Sequence, residues 1–262
     1  MNIQDFQKRK RDGIPLSMVT CYDSWSAALI AETNIDCVLV GDSLAMVVYG
    51  HETTIPVTVE TMAAHTAAVR RGMPEKFIIG DLPFLSYRKG FETAMSTVET
   101  IMGSGANAIK LEGATGNLDL IRHIVESGVP VMGHLGLTPQ SVNQLGGFKV
   151  QGRDHQAAEK LKEDALKLQE VGCFSLVLEA VPATLAAEVT RALAIPTIGI
   201  GAGPNVDGQV LVLQDLLGIT TSFRPKFVRT WMDGSTLIRE ALQAYHHDVT
   251  SGRFPNGQES YR

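Results

Sequence analysis

The chain has 262 residues, 44% of them hydrophobic, which is enough apolar material for one large α/β domain or two smaller ones. The formal net charge is −5 and the longest basic cluster is the short run KRKR at 8–11, so nucleic acid is not expected as a partner. The three cysteines, Cys21, Cys37 and Cys173, lie far apart without metal-ligand spacing, which argues against a disulfide framework or a zinc site and fits a reducing cytoplasm.

The N-terminal stretch MNIQDFQKRKRDG is polar, which is unlike a signal peptide. No apolar run approaches the roughly 20 residues that a helix needs to span a bilayer. We therefore expect a soluble, cytoplasmic protein with no membrane partner.

Eight apolar runs rich in β-branched residues recur along the chain, each of strand length. They cover 16–22, 37–41, 77–81, 108–112, 130–134, 175–180, 196–201 and 209–213. Each run is nearly continuous in apolar residues, as expected for a strand that is covered on both faces of a parallel sheet.

Helical patterns separate most of these runs. They cover 24–33, 58–72, 90–105, 117–128, 155–172 and 183–194. Ser24 is the predicted N-cap of the first of these helices and Thr58 that of the second, while Gly72 is the predicted stop of the second.

Strands and helices that alternate over about 250 residues predict a single (β/α)8 TIM barrel, spanning residues 1–262 with a short N-terminal extension. A doubly wound open sheet is the alternative. The longest irregular stretch, 135–154, has the length of a lid or a binding loop.

Polar side chains stand where the predicted strands end. In a parallel barrel all strand C-termini meet at one mouth, where active sites lie, so these groups are expected to converge. They are Asp42, Asp81, Lys110, Glu112, His134 and Glu179.

Each of these side chains also has a structural explanation. Asp42 could be a turn or helix-cap residue, Lys110 and Glu112 could form a salt bridge, and His134 could be a hydrogen-bonded core residue. Glu179 is the hardest to explain in this way, because a buried carboxylate is costly to keep without a function. Taken together, the set favours a site.

The types of side chain point to one kind of chemistry. Asp42 and Asp81 form a hard-oxygen pair that suits Mg²⁺, and a nearby lysine can bind the carboxylate of an α-keto acid. Glu179 could then remove the proton next to the carbonyl while the metal stabilises the enolate. The residues predict metal-assisted enolisation and carbon–carbon bond formation, and leave the electrophile open.

Several segments resemble one enzyme family over most of the chain, from about Pro15 to Ala244. They are VGDSLAMVVYG, TIPVTVETMAAHTAAVRRG, KLEG, GVPVMGHLGLTPQSVNQLGGFKVQGR, LVLEAVPA, IPTIGIGAGPNVDGQVLV and FRPKFV. These segments resemble the ketopantoate hydroxymethyltransferases. The resemblance implies a TIM barrel, a homo-oligomer that is a decamer of two pentameric rings, one Mg²⁺ per subunit, and 5,10-methylenetetrahydrofolate as co-substrate.

The resemblance also implies roles for individual residues. Asp42 and Asp81 would bind the metal and contact the substrate, and Glu112 would hold a metal-bound water. Ser43 and Lys110 would bind the substrate, with His134 near its polar end.

The implied reaction begins when Glu179 removes the C3 proton of 3-methyl-2-oxobutanoate, giving an enolate stabilised by Mg²⁺ and Lys110. The enolate would attack the methylene carbon carried by the folate, and hydrolysis would follow. The products would be ketopantoate (2-dehydropantoate) and tetrahydrofolate, in the first committed step of pantothenate biosynthesis.

Two positions depart from the family pattern. Ala180 stands where Cys or Gly is common, and Trp231 stands where Tyr is expected.

Three other functions can be compared with the sequence. A lyase of the isocitrate-lyase kind would need a KKCGH-like loop, which is missing. A regulatory barrel without activity would have lost one of its acidic residues, and a nucleotide-binding module would need an early glycine fingerprint instead of the late GIGAG at 199–203.

Overall fold

The structure is a computed structural model that describes residues 1–221 and 224–261. The chain divides into two compact units, Met1–Val212 and Leu213–Arg262. Phe223, the first residue of the FRPKFV segment, lies outside the described residues. A single barrel domain over residues 1–262 stays a prediction.

The first unit contains a closed barrel of eight strands in chain order. The strands, β1 to β8, are Leu16–Thr20, Cys37–Val40, Phe77–Asp81, Ala108–Glu112, Val131–Gly136, Ser175–Glu179, Thr197–Ile200 and Gly208–Leu211. Every neighbouring pair is parallel, and the barrel closes where Leu16 of β1 pairs with Gly208 of β8. The TIM-barrel prediction is confirmed, and the open sheet is excluded.

Nine helices accompany the strands in the described part of the first unit, and two more lie in the second unit. In chain order, α1 to α11 are Ile3–Asp12, Ser24–Ala31, Leu44–Val47, Val59–Gly72, Phe91–Gly103, Leu118–Glu126, Val142–Leu145, His155–Glu170, Ala183–Ala192, Leu213–Leu216 and Gly234–Thr250. None of the described helices is long and apolar enough to cross a membrane.

The helix ends test the cap predictions directly. Thr58 does cap α4, accepting a hydrogen bond from the backbone N–H of Thr61, and α4 ends at Gly72 as predicted. The prediction of Ser24 as the first N-cap is wrong. Asp23 takes that place, because its carboxylate accepts from the backbone N–H of Ser26 and leaves Ser24 as the first helical residue.

The N-terminal extension forms a helix that closes one end of the barrel. Phe6 of α1 is fully buried, with its ring centroid 5.3 Å from that of Phe77 and 5.1 Å from that of Phe174. Phe77 begins β3 and Phe174 directly precedes β6, so this aromatic cluster lies at the N-terminal ends of the strands. The polar residues predicted to form the site follow or end the strands, so they lie at the opposite, C-terminal end of the barrel.

The stretch 135–154 is more regular than predicted. β5 extends to Gly136, a 3-10 turn follows at Pro139–Ser141, and α7 covers Val142–Leu145. This segment, which we call the β5 loop, covers residues 137–154 between β5 and α8. The glycine-rich turn after β7 also has a packing reason, since a Cβ on Gly203 would lie 2.4 Å from the Cβ of Ala183.

The second unit holds α10 and α11 and the segment between them. Leu216 and Leu217 accept backbone hydrogen bonds from Trp231 and Gly234, which ties the segment before α11 to the end of α10. Asp233 caps α11 by accepting from the backbone N–H of Thr236.

Candidate active site

Five polar side chains at the strand ends are buried together. Asp42 follows β2, Asp81 ends β3, Lys110 and Glu112 belong to the end of β4, and His134 lies on β5. Each of these residues is at most 4% exposed. The side chain of Glu179, the last residue of β6, is 18% exposed and lies 3.2 Å from His134.

Lys110 forms an ion pair with Asp81. Its Nζ lies 2.9 Å from Oδ1 of Asp81, so its closest acidic partner is on β3 and not Glu112 of its own strand. Burial alone would lower the pKa of Lys110, but Asp81, Glu112 and Asp42 raise it more, so the ammonium keeps its charge.

The three carboxylates share one pattern, in which a protein N–H holds one oxygen of each. The backbone N–H of Asp42 donates to Oδ2 of Asp81 over 3.0 Å. Gln140 supplies the other two donors, from its Nε2 to Oδ2 of Asp42 (2.8 Å) and from its backbone N to Oε2 of Glu112 (3.0 Å). The second oxygen of Asp81 faces Nζ of Lys110 at 2.9 Å, and that of Glu112 lies 3.4 Å from Nδ1 of His134.

The cluster holds more carboxylates than cations, because Asp42, Asp81, Glu112 and Glu179 share only Lys110 and His134 among the described residues. Burial, followed by repulsion from Asp81 and Glu112, raises the pKa of Asp42 to about 8. Burial likewise raises the pKa of Asp81 in spite of Lys110. Buried carboxylates in excess over the nearby cations are the donor set that a hard divalent cation prefers, so these residues fit Mg²⁺.

The number of ligands is also informative. Within residues 1–221 and 224–261, no three His, Cys, Asp or Glu side chains are gathered so as to hold a metal ion by themselves. A cation here would therefore rely on one or two carboxylates with water or substrate oxygens, which is the usual way that proteins bind Mg²⁺.

His134 connects the carboxylate cluster to Glu179. Its Nδ1 lies 3.4 Å from Oε1 of Glu112 and 3.4 Å from Nζ of Lys110, and its Nε2 lies 3.2 Å from Oε2 of Glu179. Burial and Lys110 lower the pKa of His134, but Glu112 and Glu179 raise it to about 9 overall. The imidazole is therefore a cation between two acidic side chains at neutral pH.

Ser43 is half-buried beside Asp42, and its position depends on Tyr22. The hydroxyl oxygens of Tyr22 and Ser43 lie 2.8 Å apart. Tyr22 is 1% exposed and follows β1, so a sixth strand contributes to this end of the barrel.

Sequence reasoning did not single out three residues of the site: Tyr22, Tyr87 and Gln140. Gln140 is 5% exposed, although most residues of the β5 loop are half-buried or exposed. Its only sequence signal is the TPQ turn that follows the end of β5, and that pattern alone does not distinguish a buried glutamine from an exposed one.

Comparison with known proteins decides the family. The model of the ketopantoate hydroxymethyltransferase family matches residues 1–257. The chain belongs to the ketopantoate hydroxymethyltransferase family. It is 61% identical to 3-methyl-2-oxobutanoate hydroxymethyltransferase of Bdellovibrio bacteriovorus, over 99% of this chain and 98% of that relative. It is 58% identical to the protein of the same name from Coxiella burnetii, over 98% of this chain and 97% of that relative.

These matches confirm the resemblance of the sequence to ketopantoate hydroxymethyltransferases and the expectation of an enzyme. Solved structures share the fold at low identity. A 2,3-dimethylmalate lyase of the PEP mutase/isocitrate lyase superfamily aligns with a TM-score of 0.64 and 16% identity, over 98% of this chain and 92% of that chain. Phosphonopyruvate hydrolase in complex with oxalate and Mg²⁺ aligns with a TM-score of 0.65 and 10% identity, over 99% and 93%.

Proposed function

We propose that this hydroxymethyltransferase acts on 3-methyl-2-oxobutanoate, with 5,10-methylenetetrahydrofolate as donor and Mg²⁺ as cofactor, giving ketopantoate and tetrahydrofolate for pantothenate synthesis. Family membership supports the reaction, and the names of the relatives give the acceptor. The observation that carries the mechanism is the arrangement of a carboxylate and an ammonium on either side of His134. Glu179 lies 3.2 Å from one ring nitrogen, and Lys110 lies 3.4 Å from the other.

Glu179 is the proposed general base. It is the most accessible acidic side chain of the cluster, so a substrate at the mouth can reach it. It would take the proton from C3 of the keto acid, and His134 would hold its carboxylate in position. The resulting enolate would then attack the methylene carbon of the donor and form the new carbon–carbon bond. One water would be consumed as the bonds from that carbon to the folate nitrogens break, and it would supply the hydroxyl group of ketopantoate.

Lys110 and Ser43 are the proposed substrate contacts. Lys110 stays charged in its buried place and would stabilise the negative charge that develops on the enolate oxygen. Ser43, held by Tyr22, would donate a hydrogen bond to the substrate carboxylate.

Asp42 and Asp81 are the proposed metal ligands, with Glu112 acting through a water and both aspartates also close to the substrate. Mg²⁺ at this position would supply the Lewis acidity that polarises the keto group. The excess of buried carboxylates over cations and the raised pKa values of both aspartates support this assignment. The cytoplasmic location and the decamer stay predictions.

Hydrogen–deuterium exchange at C3 of 3-methyl-2-oxobutanoate tests the proton-transfer step. In D₂O without folate, NMR should detect exchange that needs both the enzyme and Mg²⁺. Glu179→Gln should slow this exchange by about 100-fold or more, the usual effect of losing a general base. The exposed Glu126 of α6 offers a matched control, and Glu126→Gln should exchange at the wild-type rate.

Two results would contradict the proposal. Undiminished exchange in Glu179→Gln would assign the base to another residue. Exchange without ketopantoate formation after methylenetetrahydrofolate is added would reject the donor but keep the enolisation.

A further inference from the structure

Gln140 occupies a unique place among the described residues of the site, because it contacts two of the three carboxylates from a different element. Its side chain donates to Asp42, and its backbone N–H donates to Glu112. Asp42 follows β2, Glu112 ends β4, and Gln140 lies in the β5 loop. A single residue therefore joins three parts of the barrel mouth.

The orientation of the Gln140 amide is determined by its partners. The two hydrogens of Nε2 have two acceptors, Oδ2 of Asp42 at 2.8 Å and the backbone oxygen of Leu82 at 3.0 Å. The Oε1 oxygen accepts a hydrogen bond from the hydroxyl of Tyr87 over 2.8 Å. If the amide were rotated by 180°, its oxygen would lie against the oxygens of Asp42 and Leu82, and neither could donate a hydrogen bond to it. The observed orientation is therefore the one that satisfies all three partners.

The amide is also shielded from water. Gln140 is 5% exposed and Tyr87 is 6% exposed, so water competes poorly for these hydrogen bonds. Each contact uses only one oxygen of its carboxylate. Gln140 thus leaves the other oxygen of Asp42 and that of Glu112 free of its own contacts, although the latter lies 3.4 Å from Nδ1 of His134.

We propose that Gln140 is a positioning residue for the metal site, which orients the carboxylate of Asp42 through its amide and that of Glu112 through its backbone N–H. This inference rests on the proposed metal site and extends it to a residue that would not touch the metal. Hydrogen bonds to metal-binding side chains fix the direction of the ligand oxygens, and their loss commonly weakens metal affinity about 10–100-fold. The β5 loop would thereby help to orient the metal ligands without contacting the metal.

Binding of Mn²⁺ without substrates tests this role, with the electron paramagnetic resonance signal of free Mn²⁺ as the readout. Gln140→Leu removes the amide but keeps the backbone N–H, and should weaken Mn²⁺ binding about 10-fold or more. Gln140→Asn keeps an amide that is one methylene too short to reach Asp42, and should weaken binding similarly. Gln144 is an exposed glutamine four residues further along the same loop, so Gln144→Leu should bind Mn²⁺ like the wild type.

A kinetic measurement separates positioning from a general loss of structure. In Gln140→Leu and Gln140→Asn, the Mg²⁺ concentration that gives half the maximal rate should rise by about the same factor as the Mn²⁺ dissociation constant. The kcat of these variants at saturating Mg²⁺ should fall by a much smaller factor. A fall in kcat at an unchanged Mg²⁺ requirement would overturn the proposal.

The binding experiment distinguishes this inference from the proposed function. A wild-type enzyme that binds no Mn²⁺ would reject the metal site itself. A wild-type enzyme that binds Mn²⁺, together with variants of equal affinity, would reject only the role of Gln140. If Gln140→Leu does not fold, as judged by circular dichroism, the comparison rests on Gln140→Asn.

Discussion

At the scale of single residues, Gly136 shows how backbone space sets the position of the proposed base. Gly136 ends β5 with a φ angle of +91°, a backbone conformation that residues with a Cβ rarely adopt. A Cβ at this position would lie 2.2 Å from the backbone oxygen of Glu179. That same oxygen accepts a hydrogen bond from the backbone N–H of Leu137 over 2.8 Å. The ends of β5 and β6 can approach this closely only because residue 136 is glycine.

Gly136→Ala should therefore impair catalysis beyond its effect on stability. Gly128→Ala is the matched control, because Gly128 has nearly the same φ, +88°, and no atom within 4 Å of an added Cβ. Both variants should lose about 1–3 kcal/mol of unfolding free energy through backbone strain. Only Gly136→Ala should lose about 10-fold or more in kcat, because Glu179 must move. Equal kcat values in the two folded variants would show that the position of Glu179 tolerates the shift.

The residues that could be predicted from sequence differ physically from those that could not. Six polar residues stand in or directly after apolar runs, so their polarity alone separates them from their neighbours. They are Asp42, Asp81, Lys110, Glu112, His134 and Glu179. Gln140, Tyr22 and Tyr87 act through contacts between segments that are distant in sequence. Tyr87 and Gln140 are 53 residues apart, and no local pattern encodes such a pair.

At the scale of elements, the strands were predictable and the N-terminal helix was not. Continuous apolar runs identify strands buried on both faces, as all four residues of β2 are. The polar sequence of α1 carries one fully buried residue, Phe6, so it has little apolar periodicity to detect. The role of α1 becomes clear only in the structure, where Phe6 fills the N-terminal end of the barrel.

Removing the Phe6 ring should destabilise the barrel and leave its chemistry intact. Phe6→Ala opens a cavity against Phe77 and Phe174 and should cost about 3–5 kcal/mol in urea unfolding at fixed protein concentration. Phe91 is 50% exposed, so Phe91→Ala should cost about 0.5 kcal/mol or less. Because Phe6 lies at the barrel end opposite the site, kcat at 15 °C should match that of the wild type. A large loss of kcat in folded Phe6→Ala would mean that the two ends are coupled.

At the scale of the whole molecule, the acidic cluster links cation binding to stability. Asp42, Asp81 and Glu112 are buried near one another, and burial raises the pKa of both aspartates, so the folded barrel without a cation bears a cost from these carboxylates. A cation that binds only the folded state offsets that cost. The stabilisation is about 2.7 kcal/mol when its concentration is 100 times its dissociation constant.

This linkage predicts a rise in Tm with Mg²⁺ that depends on Asp81. For a chain of this size, about 2.7 kcal/mol corresponds to a rise of roughly 5 °C, measurable by calorimetry with and without EDTA. Asp119→Asn is the control, since the side chain of Asp119 is 87% exposed, and this variant should keep the full rise. Asp81→Asn should lose the rise, whatever its own starting Tm, because the Mg²⁺-dependent shift reports cation binding alone. An undiminished shift in Asp81→Asn would mean that Mg²⁺ stabilises the protein elsewhere, and Asp81 would no longer be a candidate metal ligand.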